Sequence, residues 1–264
     1  MIGLKQSAKL LLDLLFPIEC LGCGQEGVWF CQDCLAALPF FPERHCPFCG
    51  EKNSWGETCK TCRARHALDG AITFIPYANP VIQKLIHAWK YQSAKDLSTP
   101  LAQFVSLGLE TIFAKLQEQS RVLQRGLGRA ELIAFPIMPT LLLSRETTLL
   151  PVPLAPKRLR SRGFNQAEEL AKGLAQSRGY NLDCLVQRTR HTAPQATLTG
   201  SDRLTNIKKA FAISANAESV VGKNFLIIDD VITTGSTCDS LARLLKENQA
   251  ASVWALAVAF GHPL

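Results

Sequence analysis

Two acids stand side by side in this chain, Asp229 and Asp230, and a run of small, hydroxyl-rich residues follows them: Thr233, Thr234, Gly235, Ser236 and Thr237. Ahead of them, Phe225 to Ile228 is a continuous apolar run, too short for a helix and bounded upstream by Gly222, so it reads as a buried strand. The acids are expected where that strand ends. Beyond the loop, Ser240, Leu241, Leu244 and Leu245 recur at helical spacing. A small-residue loop running into a helix start presents several backbone N–H groups at one point, and the helix dipole adds positive potential there. Gly235 allows close approach of the backbone, and the hydroxyls add donors. Paired carboxylates beside such an anion site need donors or a cation of their own, either sugar hydroxyls or a magnesium ion. Together these partners describe a phosphorylated sugar. The competing reading, a nucleoside triphosphatase, needs a G-x-x-x-x-G-K-[ST] loop, and no glycine in this chain begins one.

A second group of chemistry-bearing residues lies at 154–166. Lys157, Arg158, Arg160 and Arg162 crowd what reads as a loop after the strand Thr148–Pro153. Such crowding is self-repelling unless an anion is near, and pyrophosphate is a natural one because Arg binds it bidentately. A solvated basic loop is the plainer alternative.

A third group is the cysteines. Eight of ten form four C-x-x-C pairs: Cys20/Cys23, Cys31/Cys34, Cys46/Cys49 and Cys59/Cys62. This spacing turns two thiolates onto one metal ion, and repeated pairs in one segment read as structural zinc. Sequential pairing puts Cys20, Cys23, Cys31 and Cys34 on one ion and Cys46, Cys49, Cys59 and Cys62 on another; an interleaved pairing is also compatible with the spacing. Metal binding would supply folding free energy of about 10–16 kcal/mol per ion to a segment with little core of its own. Cys184 and Cys238 fall outside the pattern and are expected to be packed thiols. His45 and His66 are expected at the surface. Trp29, Phe30, Phe48 and Trp55 either pack inside this module or stack nucleic-acid bases.

The elements that must hold these groups follow from periodicity. The chain has 264 residues, 47% of them hydrophobic, and a formal charge of +7, which permits a polyanionic partner. No apolar run reaches the roughly 18 residues of a membrane span, and no signal peptide is evident, so a cytoplasmic location is expected. Residues 1–17 carry an amphipathic helix ended by Pro17. A strand is expected over Ala71–Tyr77, and Asn79-Pro80 is a helix start, with the helix running to about Tyr91. Another helix begins near Leu97 or Ser98. Helices through Ala167–Leu174 and Leu204–Ile207, the latter capped by Ser201, and strands at Phe211–Ile213 and Ser252–Ala259 complete the pattern. Strands alternating with helices give an α/β domain with a mostly parallel sheet, ligand lying across the strands' carboxyl ends. Residues 18–68 form the zinc module and 69–264 the α/β domain; 121–147 has no clear period and reads as an insertion.

The thirteen residues from Phe225 to Thr237 resemble the phosphoribosyl pyrophosphate (PRPP) motif of type I phosphoribosyltransferases. That resemblance implies that Asp229 and Asp230 hold the ribose hydroxyls, with magnesium accompanying the ligand. It also implies that Thr233 to Thr237 hold the 5′-phosphate and that Lys157, Arg158 and Arg162 face pyrophosphate. The order of motifs narrows it further. The C-x-x-C region, Leu85–Tyr91, Val152–Arg158 with Arg162–Gln166, and the acid-hydroxyl loop follow one another as in the ComF, or GntX-like, family of competence-associated proteins. Thr192, Gln195, Leu198, Arg203 and Asn206 resemble a spaced motif of that family; residues 121–147 are longer than the family pattern. The implied fold is a type I phosphoribosyltransferase-like domain behind a double zinc ribbon. The implied function is binding of PRPP or a ribose phosphate in support of DNA uptake, with single-stranded DNA and other competence proteins as partners. The alternative is an active phosphoribosyltransferase on an unknown acceptor.

Overall fold

The computed structural model describes residues 17–40, 45–92, 94–126, 144, 146–189, 210–214 and 220–261. The expected helices at 3–16 and 201–207, the spaced motif at 192–206 and most of the 121–147 stretch lie outside the described residues.

Within the cysteine-rich segment are two short helices, α1 (Gln32–Ala36) and α2 (Lys60–Arg63). Then follow β1 (Gly70–Pro76), α3 (Pro80–Tyr91), a single 3-10 turn, α4 (Ser98–Gly126) and β2 (Thr148–Pro151). The chain continues through α5 (Pro156–Arg162), α6 (Gln166–Arg178), β3 (Asn181–Leu182), β4 (Val186–Arg188) and β5 (Phe211–Ile213). It closes with β6 (Asn224–Ile232), α7 (Ser236–Glu247) and β7 (Ser252–Phe260).

Five strands form one parallel sheet in the order β1-β7-β6-β2-β3. The strand with the acids is its centre, which is why Phe225–Ile228 is apolar on both sides. Period-two alternation sends Leu226 and Ile228 to one face and Phe225 and Ile227 to the other. Strand β7 divides in the same way, with Trp254, Leu256 and Val258 opposite Val253, Ala255 and Ala257. Helices α3, α4 and α6 cover the first face, and α7 covers the second. The class expected from the sequence, a parallel sheet flanked by helices, is the one observed.

Start signals for α3 act as their chemistry requires. The Asn79 carboxamide oxygen accepts from the N–H groups of Val81 and Ile82, and Pro80 occupies the first turn. Two readings are corrected. Residues 156–162 are a helix, not a loop: Pro156 starts it, and Gly163 ends it at φ +80°, a left-handed cap. Strand β6 does not stop at the acids but runs on to Ile232, because Asp229, Val231 and Ile232 still register with Ala257, Ala259 and Phe260 of β7. The strand expected at Phe211–Ile213 is present, and it pairs antiparallel with Val186–Arg188 in a separate two-stranded sheet.

The cysteine module grips the sheet at one edge. Glu57 bridges Gly70, Thr58 N–H donates to Asp69 O, and Ala71 N–H donates to Gly56 O, so the edge of β1 is covered. The first ribbon lies on the α4 face, where Phe40 stacks on Phe104 with centroids 4.6 Å apart. The second reaches the α7 face. There the Asp239 carboxylate accepts from Ala67 N–H (2.7 Å), Leu68 N–H (3.2 Å) and His66 Nδ1 (3.1 Å). His66 is therefore tied into the junction, not free at the surface.

Asp239→Ala is expected to leave the Ala67 and Leu68 N–H groups unsatisfied and to cost roughly 2–4 kcal/mol. Urea unfolding would measure this, and a change within experimental error would show that the junction does not depend on the carboxylate.

Candidate functional site

The site is built where β2 and β6 end. A cavity of about 170 Å³ is lined by Asp229 and Asp230 of β6, by Val152 and Pro153 beyond β2, by Arg158 and Arg162 of α5, and by Thr237 of α7. Lys90 of α3 and Arg188 of β4 also line it. Four cations from three elements thus face two carboxylates from one.

The acids are not equivalent. Asp230 makes a 2.8 Å ion pair with the Lys90 ammonium, and both side chains are mostly enclosed, at 13% and 20% exposed. Lys90 sits in the last turn of α3, where the helix dipole favours a cation. The Asp229 carboxylate accepts the N–H of Asp230 at 2.8 Å. Burial pushes the Asp229 carboxyl up to about 7, and the neighbouring Asp230 charge adds to the shift, while Lys90 and Arg162 pull it down. Part of the residue still meets solvent, but the packed protein around the carboxyl sets the shift.

The hydroxyl loop forms the turn between β6 and α7. Gly235 is the N-cap at φ +68° and offers no side-chain cap, so the first-turn N–H groups of α7 keep no partner from it. Thr234 and Ser236 exchange a 2.7 Å hydroxyl contact. Thr233, Thr234 and Thr237 are exposed and Ser236 half-buried. Of this loop only Thr237 lines the cavity with the acids; Thr233, Thr234, Gly235 and Ser236 lie beside it. Among the basic residues, Arg158 and Arg162 line the cavity and Lys157 does not. In a helix the first two are four apart and share a face, which places Lys157 on another.

Sequence reasoning passed over Lys90 and Arg188. The stretch Leu85–Tyr91 carried the family resemblance but no chemical role, and nothing local marks an arginine on a two-stranded ribbon as cavity-lining. Gln166 was also missed. It is buried, donates to Trp89 O at 2.9 Å and accepts from Arg162 at 3.1 Å, so it fixes the arginine relative to the Lys90 helix.

The second ribbon reaches this site. The Phe48 ring, inside the Cys46–Cys49 turn, covers Gly235, and a Cβ there would lie 3.1 Å from it. Phe48 stacks on His66 at 3.6 Å, and His66 holds Asp239 in the first turn of α7.

Each sequential set of four cysteines converges. The sulfurs of Cys20, Cys23, Cys31 and Cys34, and those of Cys46, Cys49, Cys59 and Cys62, lie within 4.8 Å of one another in each set. Tetrahedral sulfurs about 2.3 Å from one zinc ion are about 3.8 Å apart. Cys23 to Cys31 is 3.7 Å and Cys49 to Cys59 is 3.6 Å, so both sets fit the ion. The interleaved pairing is thereby set aside. Four thiolates close each site, and these are structural zinc centres. Of the two remaining thiols, Cys238 is buried as expected, but Cys184 is exposed. The module's aromatics are covered: Phe30 is buried, and Trp29, Trp55 and Phe48 are half-buried in the core.

Comparison with known proteins finds two matching families. Residues 11–63 match the double zinc ribbon domain, and residues 159–263 match the phosphoribosyl transferase domain. DNA utilization protein YhgH of Escherichia coli (strain K12) is 31% identical over 188 residues, 70% of each chain. The chain belongs to the ComF-like family. Competence protein F of Haemophilus influenzae is 28% identical over 253 residues, 92% of this chain and 97% of its own. Competence protein ComFC of Streptococcus pneumoniae is 24% identical over 255 residues, 89% of this chain and 97% of its own. No described helix is long and apolar enough to cross a membrane.

Two outcomes are expected here. Metal analysis of protein purified under reducing conditions should return two zinc ions per chain, and one for Cys62→Ser. A free aspartic acid titrates near 3.9 and Asp229 near 7, so its stability contribution is complete below about pH 4 and lost as pH rises through 7. Asp229→Asn should therefore be more stable than the parent by an amount that grows from about pH 4 to 7 and then levels, on the order of a few kcal/mol. Thermal melts at three pH values measure it; a pH-independent difference would contradict the assignment.

Proposed function

We propose that this ComF-like protein binds PRPP, or another ribose 5-phosphate, and serves DNA uptake in natural competence by handling single-stranded DNA in the cytoplasm. The observation that carries the reading is the opposition of the Asp229–Asp230 pair to Arg158 and Arg162 across one cavity at the carboxyl end of the central strand. Carboxylates accept from ribose hydroxyls, and guanidinium groups donate to pyrophosphate oxygens. The turn from Thr233 to Thr237, leading into α7, offers backbone N–H groups and hydroxyls to the 5′-phosphate. Asp229 and Asp230 are also the carboxylates available to a magnesium ion accompanying the pyrophosphate, whose charge the ion would offset. Lys90, held on Asp230, lies where a ligand hydroxyl would compete for the carboxylate and a ligand phosphate for the ammonium. The likeness to Competence protein F and to DNA utilization protein YhgH supports the DNA role.

A second reading is favoured by Arg158 and Arg162 standing together in the cavity: an active phosphoribosyltransferase. An acceptor nucleophile would form a bond to ribose carbon 1 as the bond to pyrophosphate breaks. The guanidinium groups would stabilise the charge on the departing pyrophosphate. Release of pyrophosphate on screening bases and amines separates this reading from binding alone.

Calorimetric titration with PRPP and magnesium is expected to show binding that Asp230→Asn abolishes. Affinity should rise with pH through about 7, because an ionised Asp229 accepts from a ribose hydroxyl, and attracts magnesium, more strongly than the neutral acid does. Equal affinity for parent and variant would remove the assignment of the acid pair.

A further inference from the structure

Tyr91 is 65% exposed, and among the described residues it is the one exposed Phe, Tyr or Trp. It ends α3, next to Lys90, whose ammonium is on Asp230. His87, one turn earlier, brings its ring to 5.0 Å from the tyrosine ring, tilted by 46°. The Arg162 guanidinium lies over Tyr91, 5.3 Å from the ring centre, and is itself fixed by Gln166. A lone exposed tyrosine is ordinary on a protein surface. This one is positioned by two neighbours, one of which, Arg162, lines the cavity.

Beyond Arg162 runs α5, Pro-Lys-Arg-Leu-Arg-Ser-Arg, which buries none of its residues. Lys157, Arg158 and Arg160 have no ion-pair partner among the described residues. The nearest acids along the chain, Glu168 and Glu169, are taken by Lys172 and Lys95. Leu159 is 43% exposed, a second apolar surface on the same helix. Unpaired cations on α5 and a positioned aromatic ring beside its last residue are the two components that single-stranded nucleic acid requires, attraction for its phosphates and a surface for its bases. The rings of the zinc module, by contrast, are covered.

We propose that Tyr91 stacks an unpaired base of a single strand whose phosphates follow Lys157 and Arg160 along α5. This rests on the DNA role proposed above and gives that role a surface. Arg158 and Arg162 remain turned to the cavity, so strand and ribose phosphate meet at adjoining positions and not at one.

The test is fluorescence anisotropy with a labelled oligothymidylate of about 15 nucleotides, using the full zinc-loaded chain across a range of salt concentrations. Tyr91→Ala is expected to weaken binding about tenfold with the salt slope unchanged, while Tyr91→Phe binds as the parent does. Lys157→Ala with Arg160→Ala should flatten the slope by about 1.4, roughly 0.7 per lost phosphate contact. PRPP affinity should be unchanged in Tyr91→Ala. Oligonucleotide binding unaffected by Tyr91→Ala would overturn the proposal alone, leaving the DNA role standing. Loss of PRPP affinity in that variant would make Tyr91 a prop for Arg162 and also overturn it. Free thymidine competing as well as the same concentration of bases in a strand would assign the ring to a free base instead. No oligonucleotide binding by the parent at low salt would remove both this proposal and the DNA role, without touching PRPP binding.

Discussion

Two carboxylates side by side at the end of a buried strand repel each other and lose hydration together, and the structure around Asp229 and Asp230 is arranged to answer that. One acid is held near neutrality in its titration by burial and by its neighbour. The other is paired with Lys90. Arg158, Arg162 and Arg188 add positive charge from elements far apart in sequence. An isolated buried pair would be costly to keep ionised. A converging ring of cations lowers that cost and leaves a surplus of positive charge, which suits a ligand with several anionic groups better than one with a single charge.

The same constraint explains the topology. Parallel strands place their carboxyl ends on one side of the sheet, so the acids of β6 and the turn after β2 open toward each other. The central strand is rigid because both its neighbours hold it: β7 pairs along nearly its whole length, and β2 pairs over Phe225–Ile228. The acids belong to the strand and not to a loop, which fixes their direction.

Much of this was legible in the sequence because the signals are local. A four-residue apolar run between Gly222 and two acids reads as a central strand. Asn79-Pro80 encodes a helix start in two residues, and C-x-x-C pairs encode a metal turn in four. What escaped was tertiary. Lys90 is an ordinary lysine at a helix end until α3 packs beside β6. His66 reads as a surface residue until Asp239, 173 positions later, accepts from it. The four cations at 157–162 resemble a loop because charge dominates the pattern; only Pro156 and Gly163, a start and a stop, mark the helix between them. Strand β5 was read from the sequence, but its partner β4 has three residues, below the length at which alternation can be recognised.

The zinc module adds a final step. Its second turn does not merely sit near the α/β domain: Phe48 covers Gly235, and His66 joins that ring to Asp239 at the start of α7. Gly235 is held to glycine twice over, by a left-handed backbone and by the ring above it. The conformation of the hydroxyl turn is therefore set partly by a residue whose own position depends on four thiolates and their ion. Whatever free energy the ion contributes to ordering Cys46–Cys49 is shared with the order of the turn from Thr233 to Thr237. By linkage, a ligand that orders that turn must favour the ordered ribbon by the same amount. A zinc centre with no open coordination position thus bears on the conformation of the hydroxyl turn through packing alone, and this gives a physical reason for the two modules to be fused in one chain.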